Sequence, residues 1–131
     1  MDPVIAEFLA QKRFAVVGAS ADRSKYGNKV LRSYLQHDRD AVPVNPKDPV
    51  VEGRTAYKSL SDIPGRPDAV SVITPPKVTE AVVEEAGRLG IRHIWMQPGA
   101  ESDAAVSRAR QLGMSVIAGG PCLLVALGFR E

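Results

Sequence analysis

Five short runs rich in β-forming residues recur along the chain, at about 14–17, 41–44, 69–73, 92–96 and 115–117, with stretches of helix length between successive runs. Strands separated in this way pair in parallel, and each crossover carries the chain right-handedly over one face of the sheet. The expected fold class is therefore α/β: a single-domain, doubly wound parallel five-stranded sheet with helices on both faces. In such sheets a ligand sits beyond the carboxyl ends of the strands, where the strand order reverses.

The helical stretches have their own signals. Asp2-Pro3 supplies an N-cap and an N1 proline for a short N-terminal helix, and Val4, Ile5, Phe8 and Leu9 give it an apolar face. A second helix is expected over 27–36, with Val30, Leu31, Tyr34 and Leu35 in one stripe. A third spans 78–89 with Gly90 as its stop. The fourth spans 102–112 with Ser102 as cap and Gly113 beyond. Pro43 is awkward inside a sheet, which bears on the length of the second strand but not on its existence. Residues 51–60 carry mixed signals, read as a loop with a short strand, and 61–64 as a turn. We expect 1–131 to form one domain, with 1–12 packed on the sheet.

Composition narrows the function classes. The 131 residues are 44% hydrophobic and 24% charged, enough for one core without disulfides or metal. No apolar run approaches a membrane span. Net charge is +2 and the basic residues are dispersed, so no nucleic-acid footprint is expected. One cysteine excludes an intrachain disulfide, and the N-terminus lacks a basic segment followed by an apolar core. A cytoplasmic location is the expectation.

The first strand ends on Gly18-Ala19-Ser20, and Lys25-Tyr26-Gly27 opens the helix that follows. The first turn of a helix presents unpaired N–H groups and the positive end of the macrodipole, which favour an anion. Gly18 and Ala19 allow close approach, the Ser20 hydroxyl can donate, and Lys25 or Arg23 adds charge. The later glycines of the dinucleotide fingerprint do not fall where they should after Gly18. An ordinary strand-to-helix turn remains the alternative at this point.

Four segments close strands at the same edge: Gly18-Ala19-Ser20, Asn45-Pro46-Lys47, Thr74-Pro75-Pro76 and Gln97-Pro98-Gly99. They shape a groove from backbone and small polar groups, with few ionisable side chains. Where NAD enzymes place a carboxylate for the ribose hydroxyls, this chain has Asn45 and Lys47, which suit a phosphorylated ribose. NADP and coenzyme A both qualify.

Val17-Gly-Ala-Ser20, Val42-Pro-Val-Asn-Pro-Lys47, the Tyr57-Lys-Ser-Leu60 segment, Thr74-Pro-Pro76, Ile94-Trp-Met-Gln-Pro-Gly99 and Gly120-Pro-Cys122 occur in an order and spacing that resembles the CoA-binding protein family. These are stand-alone Rossmann-like domains, similar to the N-terminal domain of the succinyl-CoA synthetase α subunit. The resemblance implies that Gly18, Ala19, Ser20 and the helix beyond, opened by Lys25, Tyr26 and Gly27, take the CoA pyrophosphate. It implies that Asn45, Pro46 and Lys47 take the 3′-phosphoadenosine, that Thr74, Pro75 and Pro76 face the ligand from the other side, and that Gln97 lines the groove farther along. The implied function is non-catalytic binding of CoA or an acyl-CoA, as a sensor or regulatory module, with a protein partner or homodimer. The alternatives are a small NADP-dependent reductase and a CoA-ligase subunit completed by another chain.

Little chemistry is legible beyond binding. His37 falls at the end of the second helix and His93 at the start of the fourth strand, away from the groove. The two histidines and one cysteine have no metal-ligand spacing. Cys122 is the one candidate nucleophile, able to approach a thioester or the CoA thiol. With no histidine or lysine partner in view, it reads as a buried structural cysteine.

Overall fold

The computed structural model describes residues 2–131. Helix α1 (Pro3–Leu9) leads into β1 (Arg13–Val17), α2 (Tyr26–Gln36) and β2 (Asp40–Val44); a hairpin, β3 (Val50–Val51) and β4 (Arg54–Thr55), follows. After a 3-10 turn at Leu60–Asp62 come β5 (Ala69–Val72), α3 (Pro76–Arg88), β6 (His93–Met96), α4 (Asp103–Gln111), β7 (Ser115–Ile117) and α5 (Leu123–Leu127).

The sheet is parallel throughout, in the order β2-β1-β5-β6-β7. The chain leaves β1 in one direction to reach β2 and returns to pair β5 on the other side of β1. Strand order therefore reverses between β1 and β5, and ligand crevices form at such points.

Side-chain alternation builds two cores. Phe14 and Val16 of β1 and Trp95 of β6 face one layer, with Phe8, Val30, Leu31, Tyr34 and Leu123. Ala15 and Val17 of β1, and Ile94 and Met96 of β6, face the other, with Val82, Val83, Ala86, Ala105 and Ala109. Helices α1, α2 and α5 thus cover one face and α3 and α4 the other. Phe8 meets Trp95 edge-on at 5.3 Å between ring centroids, and Phe14 stacks on Tyr34 at 4.7 Å. The first of these contacts makes α1 part of the core.

Several boundaries differ from the sequence reading. Pro43 fits because β2 lies at the sheet edge, where one side of the strand needs no ladder donor. The third strand of the reading ends at Val72, and the next helix starts at Pro76 instead of 78, because a proline at N1 lacks only an N–H that would be unpaired anyway. The connection from β2 to β5 holds no α-helix. Glu52 and Gly53, both at positive φ, turn the β3–β4 hairpin, and Tyr57 pairs with Val44 along the outer edge of β2. Helix α5 was not expected, since five residues are too few to show a period. Among the described residues no helix is long and apolar enough to cross a membrane.

Candidate functional site

A cavity of about 810 Å³ opens at the carboxyl ends of β1, β2 and β5, over the reversal point. Gly18, Ala19, Ser20, Lys25, Tyr26, Gly27, Asn45, Pro46, Lys47, Thr74 and Pro75 line it, together with Asp48 and Ile73. Three separated loops of the sequence reading are thereby brought to one place. Pro76 does not line the cavity: it is the exposed first residue of α3. Gln97 does not line it either, and is wholly buried.

The loop after β1 is pressed against its neighbours. A β-carbon on Gly18, at φ +96°, would lie 2.8 Å from the carbonyl carbon of Ile73 and nearer still to its oxygen. Only glycine fits both that φ and that approach. Gly18 donates its N–H to Val44 O at 3.2 Å, so the amides free to meet a ligand begin at Ala19. The Ala21 amide is held by Asp48, and the Asp22 amide by the Ser20 hydroxyl at 3.1 Å, which leaves the Ser20 proton available. At the start of α2, Lys25 supplies no capping oxygen, and the first-turn amides have no acceptor among the described residues. This is an anion-binding arrangement by geometry and by dipole.

Behind the loop lies a network that the sequence reading missed. Asn28, fully buried, donates to Ser20 O at 2.8 Å and accepts from Arg32 Nε at 2.7 Å. Arg32, 7% exposed, also donates to Arg23 O at 2.9 Å and lies over the Phe129 ring at 5.1 Å. Arg23 turns outward to Glu52 at 2.7 Å and so does not charge the groove. Lys25 and Lys47 do, and neither forms an ion pair among the described residues. The signal in the sequence was the Asn28/Arg32 pair, one helical turn apart on the buried side of α2.

At the end of β2, Asn45 forms an Asx turn, its Oδ1 accepting from the Lys47 and Asp48 amides at 2.7 and 2.9 Å. Its Nδ2 donates to Ala19 O at 2.7 Å and to Asp48. Asp48 thus ties two loops together, its Oδ2 accepting from both Ala21 and Asn45.

Beside the groove, Tyr26 joins it to a polar cluster. The Tyr26 hydroxyl donates to Gln97 Oε1 at 3.1 Å and contacts Cys122 Sγ, and the Leu123 amide donates to the same Gln97 oxygen at 3.1 Å. Gln97 Nε2 is buried with no partner. An orphaned donor of this kind costs about 1–3 kcal/mol. Burial, reinforced by Cys122, raises the Tyr26 phenol above its ordinary range, so it stays protonated at neutral pH. Cys122 is half-buried, not enclosed as the sequence suggested.

Both histidines lie outside the groove. His37 caps the end of α2, with Nδ1 2.7 Å from Ser33 O, and His93 opens β6 at the opposite edge of the sheet. A second cavity, of about 880 Å³, lies against α4 and the loop after β7. Gly119, of the positive-φ Gly119-Gly120 pair, lines it, but the helix start beside it is capped by Ser102, whose side chain accepts from the Ala105 amide.

Residues 12–128 fit the profile of the CoA binding domain. The chain belongs to the CoA-binding domain family. A conserved hypothetical protein from Pyrococcus furiosus is 35% identical, with a TM-score of 0.82 over 88% of this chain and 98% of that one. The dinucleotide-forming acetyl-coenzyme A synthetase 1 of Ca. Korarchaeum cryptofilum, in its apo form, is 30% identical, with a TM-score of 0.70 over 80% of this chain and 25% of that one. Among curated proteins, the ADP-forming acetate–CoA ligase II α subunit of Pyrococcus furiosus is 33% identical over 66% of this chain and 19% of its own length. The chain therefore spans about a fifth of that ligase subunit. CoA-binding domains of this family stand alone in some proteins and form part of a ligase in others.

Proposed function

We propose that this domain holds CoA or an acyl-CoA in the groove between β1, β2 and β5 without itself catalysing a reaction. The observation that carries the reading is the uncapped start of α2, pressed against Gly18 and flanked by two unpaired lysines at the reversal of strand order. The pyrophosphate would accept from the Ala19 and Ser20 amides, the Ser20 hydroxyl and the first-turn amides of α2, with Lys25 nearby. Lys47 would meet the 3′-phosphate, and Asn45 and Pro46 would support the adenosine. Thr74 and Pro75 would form the far wall, with Pro76 fixing the start of α3 behind them.

The phenol and the carboxylate at the groove are both engaged within the protein. Tyr26 is engaged by Gln97 and Cys122, and Asp48 Oδ2 by the Ala21 amide and the Asn45 side-chain amide. That favours a carrier, sensor or regulatory module over an NADP-dependent reductase. A second reading is a ligase component completed by another chain, supported by the ADP-forming ligases among its relatives. A partner protein or a second copy fits either reading, and a single unpaired cysteine suits the cytoplasm.

Isothermal titration with CoA, dephospho-CoA, NADP and NAD tests the proposal. CoA should bind at least about tenfold more tightly than NADP, a difference of about 1.4 kcal/mol. Tighter binding of NADP, or no binding of CoA, would overturn it.

A further inference from the structure

We infer that Gln97 distinguishes an acyl-CoA from free CoA, its side-chain amide donating to the thioester carbonyl once Tyr26 turns aside. The inference rests on the proposed CoA reading and adds to it a choice between two forms of the ligand.

Gln97 directly follows β6, at the same edge as the groove and one strand beyond β5, whose closing residues form the groove wall. Its orientation is fixed. The Leu123 amide can only donate, so the atom facing it is Oε1, and Nε2 points elsewhere. Nε2 is fully buried and unpartnered, which native proteins seldom tolerate without a use. Tyr26 belongs to both places, since it lines the groove and its hydroxyl reaches Gln97.

The polar chain through this cluster has one direction. Tyr26 has one proton, which goes to Gln97 Oε1, so the Cys122 thiol donates to the Tyr26 oxygen. Every donor on the chain is used except Gln97 Nε2. A ligand carbonyl would complete it. The sulfur of free CoA is a weak acceptor, whereas a thioester carries a carbonyl next to that sulfur. An acyl group therefore supplies the missing partner, and the free thiol does not.

The test compares CoA, acetyl-CoA and S-ethyl-CoA, a thioether of nearly the same size without the carbonyl. Titrated against the wild-type protein, acetyl-CoA should bind about fivefold to tenfold more tightly than either of the others. In Gln97→Met, which keeps the length and loses the donor together with the oxygen that Tyr26 and Leu123 use, the affinities of the three ligands should converge. Equal binding of acetyl-CoA and S-ethyl-CoA to the wild type overturns the inference, as does a preference that survives in Gln97→Met. Equal loss of all three ligands in that variant also overturns it, because the amide then serves the pantetheine arm or the fold. If the wild type binds none of the three, the parent reading falls as well.

A readout without a variant guards against a folding defect. Trp95, the one tryptophan, donates to Pro121 O at 3.0 Å, next to Cys122. Displacement of Tyr26 from Cys122 should reach it. Acetyl-CoA should shift its emission and S-ethyl-CoA should not; identical shifts count against the inference.

Discussion

Gly27 lies against the carbonyl of Gly18 so closely that a β-carbon on Gly27 would be 2.9 Å from the Gly18 carbonyl carbon and nearer still to its oxygen. Two glycines nine residues apart thus seat the start of α2 on the end of β1. The seat does the work that adjacent glycines do in the usual dinucleotide turn, which is why the fingerprint looked incomplete. Because the obstructing atoms are backbone, Gly27→Ala should lower the stability of the fold by about 2–3 kcal/mol in urea unfolding. It should also weaken CoA binding more than fold loss alone explains, measured by titration at a temperature where the variant is fully folded.

Lys47 is exposed, lines the groove and has no carboxylate partner among the described residues. Lys47→Ala should weaken CoA about fivefold and leave dephospho-CoA unchanged, in line with about 1 kcal/mol for an exposed charge pair. Raising the salt to about 0.5 M should shrink the difference. Equal losses for both ligands would separate Lys47 from the 3′-phosphate.

Arg32 holds the loop after β1 from behind, through Asn28 Oδ1 and Arg23 O. Arg32→Met keeps much of the side-chain volume but strands both acceptors, at a cost of about 2 kcal/mol. Hydrogen exchange should then quicken in residues 20–25 while β5 and β6 keep their protection.

Tyr34 is completely buried, 2.6 Å from Ser71 Oγ, and burial raises its phenol far above the usual 10.0. In the unfolded chain it ionises near the ordinary value. Its contribution is therefore whole below about pH 10 and is lost as pH climbs toward the raised folded value, at about 1.4 kcal/mol per pH unit. Tyr34→Phe should cost about 1 kcal/mol at neutral pH, where Ser71 loses a partner, yet flatten the alkaline decline. Urea unfolding from pH 7 to about pH 11.5 reads both effects, with Tyr26 supplying the remaining slope.

Much of this architecture was legible because it rests on local chemistry. Alternating apolar strands and striped helices fixed the parallel sheet, Asp2 and Ser102 marked helix starts that their side chains do cap, and the strand-ending Gly, Pro and Asn located the groove. The hairpin at Glu52-Gly53 and the five-residue α5 were too short to carry a period.

What lay outside the sequence were relations between distant positions. The apposition of Gly27 to Gly18, the turn of Arg23 toward Glu52, the Asn28–Arg32 brace and the withdrawal of Gln97 behind Tyr26 each join segments that no spacing rule connects. Periodicity decides which face of a strand or helix is apolar, and a glycine or proline decides where the backbone can turn. Which polar atoms find partners is settled only when the packed layers bring them within hydrogen-bonding reach.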